Sequence, residues 1–160
     1  LSLVTHRFAH TVLTPYAAEA ARTLRLPVEE INKDRLSRAL DLGFLTGAVN
    51  VLKGAGTIVT QRSSVSWINP TVSPALATAG SGDALSGMIG AMFAQHFELM
   101  DCVLSAVYLH GAAVDGLNSG ILAGDIAPLA STCLEELRDS YQRHFHPLKA
   151  EERAIEWEDS

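Results

Sequence analysis

The stretch Ala77-Thr78-Ala79-Gly80-Ser81-Gly82-Asp83 runs directly into Ala84-Leu85-Ser86-Gly87-Met88-Ile89-Gly90-Ala91-Met92-Phe93. Small residues and glycines come first, then one aspartate, then apolar residues at helical spacing, which predicts a helix after a glycine-rich turn. We expect Ser81 to cap this helix and Asp83 to lie in its first turn, where a negative charge is favoured. Unpaired N–H groups at a helix start bind anions, so the stretch is typical of a phosphate site beside a carboxylate. A capped helix after a glycine turn, with no ligand, explains the pattern equally well.

A second glycine-containing stretch, Lys53-Gly54-Ala55-Gly56-Thr57, follows the apolar residues 48–52. The apolar residues predict a buried strand, and α/β sheets place their ligands at such strand ends. A lysine is a compact cation suited to phosphate, which favours a phosphate contact from Lys53. The alternative is a lysine that extends from the strand end into solvent.

Taken together, these stretches resemble the NAD(P)H-hydrate dehydratase family of the ribokinase-like superfamily. The resemblance rests on residues 51–57, on Asn69-Pro70-Thr71 and on residues 78–83, and it extends to residues 14–19 and 108–111. It implies a ribokinase-like three-layer α/β/α fold with a mostly parallel sheet, present here as its C-terminal portion. Residues 1–148 are then expected to form the C-terminal part of a single domain, and residues 149–160 a charged tail.

The same resemblance implies a function. Members of this family use an adenine nucleotide to remove water from hydrated NADH or NADPH, which repairs the cofactor. The implied cofactor is ADP or ATP, with Mg²⁺ accompanying the nucleotide. Asp83 would be the acid/base group beside the substrate hydroxyl, and Tyr16 and Asp83 would contact the substrate. The implied nucleotide-binding residues are Lys53, Gly54, Ala55, Gly56, Thr57, Asn69, Gly80, Ser81 and Gly82.

Two loops depart from the family pattern. The family has histidine, proline, glycine and glutamate where this chain has Tyr16-Ala17-Ala18-Glu19, and two glycines are replaced in Val72-Ser73-Pro74-Ala75. A tyrosine can donate a hydrogen bond and stack on a ring, but it does not carry a proton near neutral pH. Tyr16 as a packing residue is an equally good interpretation. Two alternative functions therefore remain: a ribokinase-like kinase for a small alcohol or vitamin precursor, and a catalytically inactive nucleotide-binding fragment.

The composition and net charge of the chain limit the kinds of molecule that it is expected to bind. The chain has 160 residues, a net charge of −6, 48% hydrophobic and 19% charged residues, which suits a globular domain and disfavours nucleic acid or an acidic membrane as partner. Cys102 and Cys133 lie in apolar helical patterns, which favours buried free thiols and a cytoplasmic protein. We expect no metal site at His144 and His146, because no acidic or cysteine residue is near. The absent first half of the domain, or a second copy of the chain, is expected to cover the exposed part of the sheet.

Further elements are predicted from periodicity. Strands are expected at residues 11–14, 57–61 and 64–68, and helices at residues 18–26 and 32–46. We expect Asn32 to cap the second helix, with Arg35 on its solvated face. A long amphipathic helix is expected from Leu99, with His110 as a core histidine, and a last helix capped by Asp125.

Overall fold

The computed structural model describes residues 9–62, 65–71, 73–117 and 120–145. Along the described part of the chain, one strand is followed by three helices, then by three strands, a short 3-10 helix (Pro74–Leu76) and three longer helices. The strands are β1 (Val12–Leu13), β2 (Val49–Leu52), β3 (Ile58–Thr60) and β4 (Ser66–Ile68). The helices are α1 (Ala17–Leu24), α2 (Val28–Lys33), α3 (Arg35–Thr46), α4 (Ser81–Phe93), α5 (Leu99–Ala112) and α6 (Ala123–Phe145).

The four strands form one open sheet in the order β1-β2-β3-β4. β1 and β2 pair in parallel, with Val12 opposite Val49, as expected for strands joined by a helical connection. β2 with β3 and β3 with β4 pair antiparallel, because short turns join them. The part of the sheet that this chain supplies is therefore mixed, with its parallel pairing at β1.

Helices cover both faces of the sheet, which confirms the three-layer α/β arrangement. Alternate side chains of a strand point to opposite faces. On one face, Val49, Val51 and Val59 are buried against α4 and α5. On the other face, Leu52 and Ile58 are buried against α1, α2 and α3.

Two predicted helix starts are wrong. Asn32 does not cap a helix, because it lies inside the short helix α2; the cap of α3 is Asp34, whose Oδ1 accepts the Ser37 N–H at 3.1 Å. Asp125 is the third residue of α6, and its carboxylate reaches back to the Leu122 N–H at 2.8 Å. Both aspartates satisfy N–H groups at helix starts, but from positions that periodicity alone does not resolve.

Gly43 lies inside α3, where it allows the helix to pack closely against the sheet; helical periodicity does not predict this contact. A Cβ on Gly43 would lie 2.9 Å from the Gln61 carbonyl oxygen, so only glycine lets α3 approach the end of β3 this closely.

Cys102 and Cys133 are both free thiols, as predicted. Cys102 is buried, whereas the predicted burial of Cys133 is wrong, because its side chain is only partly buried. No helix in the described part of the chain combines the length and apolar character needed to cross a membrane. The tail predicted at residues 149–160, together with His146, Ser64 and Val72, lies outside the described residues.

Candidate functional site

A cavity of about 670 Å³ opens between the end of β2, the start of α4 and the second half of α5. Eight of the predicted site residues line it: Tyr16, Lys53, Gly54, Ala55, Thr57, Asn69, Ser81 and Gly82. Three others, Gly56, Gly80 and Asp83, are not among the lining residues. The sequence analysis had not assigned the rest of the lining to a site: Thr71, Ser73, Pro74, Leu76, Ala77, Thr78, Ala79, Leu85, Val107, His110 and Gly111.

One wall of the cavity is the lysine–glycine turn, residues 53–57, which connects β2 to β3. Gly54 and Gly56 have φ values of +144° and +64°, which glycine adopts without strain. The Lys53 N–H donates to the Pro15 carbonyl at 2.9 Å, and the Thr57 hydroxyl donates to the Gly54 carbonyl at 3.1 Å. These contacts fix both ends of the turn, so its backbone has one conformation beside the cavity.

Among the described residues that line the cavity, Lys53 is the only lysine or arginine. Its ammonium nitrogen lies 3.8 Å from the centroid of the Tyr16 ring, which is a cation–π contact. Lys53 forms no ion pair with any described carboxylate, and no aspartate or glutamate lines the cavity. The cavity therefore has a positive charge that is not neutralised within the described residues, which suits an anion.

The opposite wall is the start of α4. Gly80 is the cap residue with φ of +86°, and the Ser81 hydroxyl donates to the Leu76 carbonyl at 2.8 Å. The prediction that Ser81 caps the helix is wrong, because its hydroxyl is used to hold the preceding loop. The N–H groups of Ser81 and Asp83 donate to the carbonyls of Thr78 and Gly80, whereas the Gly82 N–H has no partner among the described residues.

Gly82 brings the two walls together. A Cβ at Gly82 would lie 2.6 Å from the Lys53 Nζ, so the absence of a side chain leaves the ammonium group next to the helix start. A helix N-terminus attracts anions through its N–H groups and its dipole. An ammonium group and a helix start at this distance can hold one anionic group between them.

His110, in the second half of α5, holds the helix start from behind. Its Nε2 lies 2.9 Å from the Ser81 carbonyl oxygen. Because a carbonyl only accepts, Nε2 carries the proton of the ring. Burial lowers the pKa of His110 below its usual value; the bond to Ser81 opposes this, and the charge of Lys53 adds to it. The lowered pKa favours the neutral ring at pH 7. His110 is buried, as predicted, and it also lines the cavity.

Asn69 lines the cavity but uses its amide group to hold the loop after β4 onto α5. Its Nδ2 donates to the Thr71 hydroxyl at 2.7 Å and to the Val107 carbonyl at 3.2 Å. The Thr71 hydroxyl in turn donates to the Tyr108 carbonyl at 3.2 Å. Only the side-chain oxygen of Asn69 remains for a ligand.

Asp83 lies in the first turn of α4, as predicted, and its side chain is exposed. It makes no ion pair or side-chain hydrogen bond with the described residues. Asp83 follows Gly82 directly, so it lies at the edge of the cavity rather than within it. The exposed carboxylate thus lies one residue along the chain from the lining of the cavity.

One residue near the site was missed by the sequence analysis. Arg35 was expected on the solvated face of α3, and this prediction is wrong. Its guanidinium donates to backbone carbonyls of β2 and of the lysine–glycine turn. A cation at the first position of a helix gives no sequence signal of this contact, because the turn is 18 residues further along the chain.

These features define an α/β protein with a candidate anion site between a lysine–glycine turn and a helix start. Solved structures of the same class are similar to it. An ADP/ATP-dependent NAD(P)H-hydrate dehydratase from Bacillus subtilis, co-crystallised with ATP and Mg²⁺, superimposes with a TM-score of 0.74 at 32% identity, over 83% of this chain and 52% of that one. A ribokinase-like superfamily protein from Enterococcus faecalis V583 gives 0.68 at 28% identity, over 78% and 44% of the two chains. The fold is therefore ribokinase-like.

The sequence assigns the family. The sequence model of the NAD(P)H-hydrate dehydratase family matches residues 2–135, and the chain belongs to that family. Among curated relatives, the ADP-dependent (S)-NAD(P)H-hydrate dehydratase of Neisseria meningitidis serogroup B is 41% identical over 125 residues. That match covers 74% of this chain and 42% of the relative, so the chain spans less than half the length of that protein.

Proposed function

We propose that the protein carrying this chain performs nucleotide-dependent dehydration of hydrated NADH and NADPH. The observation that carries the proposal is the contact between the two walls of the cavity. The Lys53 ammonium group lies where a Gly82 side chain would be, beside the N-terminus of α4. An anion held there has a point charge on one side and a helix dipole on the other.

The cavity fits an adenine nucleotide. Phosphate would lie at Lys53, Ser81 and Gly82, where Gly82 also leaves its N–H group unpaired among the described residues. The other lining residues of the turn, Gly54, Ala55 and Thr57, would contact the rest of the nucleotide together with Asn69. The proposed nucleotide is ADP or ATP, in line with the nucleotide dependence of the dehydratases from N. meningitidis and B. subtilis.

Magnesium would enter with the nucleotide. The described residues contain no cluster of three or more histidine, cysteine, aspartate or glutamate side chains able to hold a metal ion. A metal would therefore be held chiefly by phosphate oxygens and water, which is usual for Mg²⁺. Its chemistry when bound would be to offset phosphate charge.

Asp83 is the proposed acid/base group. Dehydration removes a hydroxyl group and a proton from the substrate, and the two leave as water. An ionised carboxylate beside the hydroxyl can accept that proton and pass it to the leaving hydroxyl. Asp83 is exposed and adjacent to Gly82, so a substrate at the edge of the cavity could contact both Asp83 and the neighbouring Tyr16. The start of α4 favours the ionised carboxylate.

The proposed setting is the cytoplasm, where NADH and NADPH are used. We also propose that residues 1–148 are part of one domain and that 149–160 are a tail. A further segment of that domain, or a second copy of the chain, would pair with the free edge of β1. In the described structure β1 has only β2 as a partner.

The proposal is tested with the protein in the form in which its cell produces it. This protein is incubated with hydrated NADH and either ADP or ATP, and recovery of the NADH absorbance is followed. Calorimetry with each nucleotide is run on the same sample. Nucleotide-dependent recovery is expected. Nucleotide binding without recovery would favour the kinase or the inactive binding protein, and a screen for phosphorylated small alcohols would separate these two. Absence of binding to either nucleotide would overturn the site itself.

A further inference from the structure

Arg35, the first residue of α3, lies against the outer side of the lysine–glycine turn. Its Nη2 lies 3.1 Å from the Leu52 carbonyl oxygen and 3.5 Å from that of Gly56. The two terminal guanidinium nitrogens, Nη1 and Nη2, each lie 3.4 Å from the Lys53 carbonyl oxygen. One side chain therefore spans the turn from the last residue of β2 to the second glycine.

These contacts divide the polar groups of the turn into two sets. The carbonyls of Lys53 and Gly56 accept from Arg35, and the Gly54 carbonyl accepts from the Thr57 hydroxyl. The N–H groups of Gly54 and Ala55 have no acceptor among the described residues, and both residues line the cavity. The carbonyls of Lys53, Gly54 and Gly56 are thus bonded to the protein, while the N–H groups of Gly54 and Ala55 remain for a ligand. Successive free N–H groups are a common backbone device for binding anions.

The charge of Arg35 is also left uncompensated. Arg38, one turn further along α3, forms an ion pair with Asp41 at 2.6 Å. Arg35 forms none with the described carboxylates, and it is partly buried. A guanidinium stays protonated at neutral pH even when partly buried. Arg35 therefore places a second positive charge behind the turn, in addition to Lys53 in front of it.

Gly54 shows how closely the two parts are fitted. A Cβ on Gly54 would lie 2.8 Å from the Arg35 Nη1, and its φ of +144° is a conformation that other residues rarely adopt. The glycine at this position thus serves both the turn and its contact with the arginine.

We propose that Arg35 is a positioning residue of the anion site, which holds the carbonyls of Leu52, Lys53 and Gly56 so that the N–H groups of the turn are presented to the nucleotide. The inference rests on the proposed function for the identity of the ligand. The part that concerns the order of the turn can be tested without any ligand.

The test compares Arg35→Gln and Arg35→Lys with the matched control Arg38→Gln in the naturally produced protein. Two quantities are measured well below the unfolding temperature: the Kd for ADP, and amide hydrogen exchange without nucleotide at Lys53 and Asn69, whose N–H groups are protected by bonds to the Pro15 and Thr57 carbonyls at the two ends of the turn. Arg35→Gln is expected to raise exchange at these two amides several-fold and to weaken ADP binding about tenfold, the usual loss for hydrogen bonds to a charged group. Arg35→Lys is expected to lie between Arg35→Gln and the wild type, because it keeps the charge but loses the planar fork. Arg38→Gln is expected to match the wild type.

A merely structural arginine would lower the unfolding temperature without moving either quantity in the folded protein. Unchanged exchange and unchanged ADP affinity in Arg35→Gln would therefore overturn the inference, as would equal effects in Arg38→Gln. If the wild type binds no ADP or ATP, the proposed function fails. The exchange measurement still decides whether Arg35 orders the turn.

Discussion

The two walls of the cavity are fixed by opposite kinds of chemistry. The lysine–glycine turn is held by a charged group, the guanidinium of Arg35, and carries the charged Lys53. The start of α4 is held by neutral groups, since Ser81 donates to Leu76 and His110 donates to Ser81. The positive charges thus belong to the turn, whereas the helix start contributes N–H groups and, just outside the cavity, Asp83.

This difference indicates a division of roles. Changes on the turn should alter nucleotide affinity, because the charges are there. Changes at the helix start should separate into an effect on turnover at Asp83 and smaller effects on geometry at Gly82 and His110. Each of the following variants tests whether affinity and turnover are divided between the two walls in this way.

The largest effect is expected for Asp83→Asn, measured as turnover of hydrated NADH. Loss of a general acid–base group typically costs ~10²–10⁴-fold in rate, while the shape of the helix start and most nucleotide affinity should remain, because asparagine is also favoured there. The matched control is Asp101→Asn, since Asp101 is also an exposed carboxylate in the first turn of its helix, α5. Turnover in Asp83→Asn close to that of the control would show that Asp83 is not catalytic.

Lys53→Met should come next, as a loss of ADP or ATP affinity of about 10- to 100-fold, the range expected for a charge-assisted contact. Methionine keeps the length of the side chain and removes the charge. Calorimetry measures the effect, and the exposed Lys33→Met serves as control. If Lys53→Met instead left nucleotide affinity unchanged and lowered kcat alone, the lysine–glycine turn would not be the wall that determines nucleotide affinity.

Gly82→Ala should have a smaller effect, a loss of nucleotide affinity of several-fold. The new methyl group would displace the Lys53 ammonium group, from which an added Cβ lies 2.6 Å. Stability should change little, because the end of a lysine side chain can move, and alanine favours helix by up to about 1 kcal/mol over glycine. Gly87→Ala on the same helix is the control, because a Cβ there meets nothing within 4 Å. Equal affinities in the two variants would contradict the contact between the walls.

The smallest effect concerns pH. Burial lowers the pKa of His110 in the folded protein, so the unfolded state takes up a proton first as the pH falls. The contribution of His110 to the free energy of unfolding is therefore fully present above the unfolded pKa of about 6.5 and is lost as the pH falls towards the folded pKa. Urea unfolding between pH 7.5 and 5 should show this fall, and His110→Gln, which keeps an N–H donor but does not titrate, should flatten it. An identical pH dependence in the variant would assign the fall to other groups.

Much of this architecture was readable from the sequence because its signals are local. Apolar runs of four or five residues gave β2, and spacing of three and four residues gave α4 and α5. Eight of the residues assigned to the site by resemblance do line one cavity. The roles assigned to them, and the catalytic role of Asp83 above all, stay predictions.

Other features were decided by contacts between distant parts of the chain. Serine is a residue type that often caps helices, yet the Ser81 hydroxyl donates to the Leu76 carbonyl. The turn before α4 brings that carbonyl within reach of the hydroxyl. The sequence indicates no partner for the side-chain amide of Asn69. In the structure its N–H groups hold the loop after β4 against α5, where the acceptor Val107 lies 38 residues further along the chain. Neither choice follows from propensity, since each depends on which backbone group comes near.

The sequence by itself therefore determined the family, the layered α/β fold and the two glycine-containing stretches, since these depend on residue type and short-range spacing. Only the tertiary structure decided that Lys53 meets Gly82, that His110 supports Ser81 and that Arg35 lies behind the turn. The physical reason is the same in each case. Hydrogen bonds and charge contacts act over a few ångströms, and packing of the helices on the sheet alone brings these groups, 18 to 29 residues apart, within that distance.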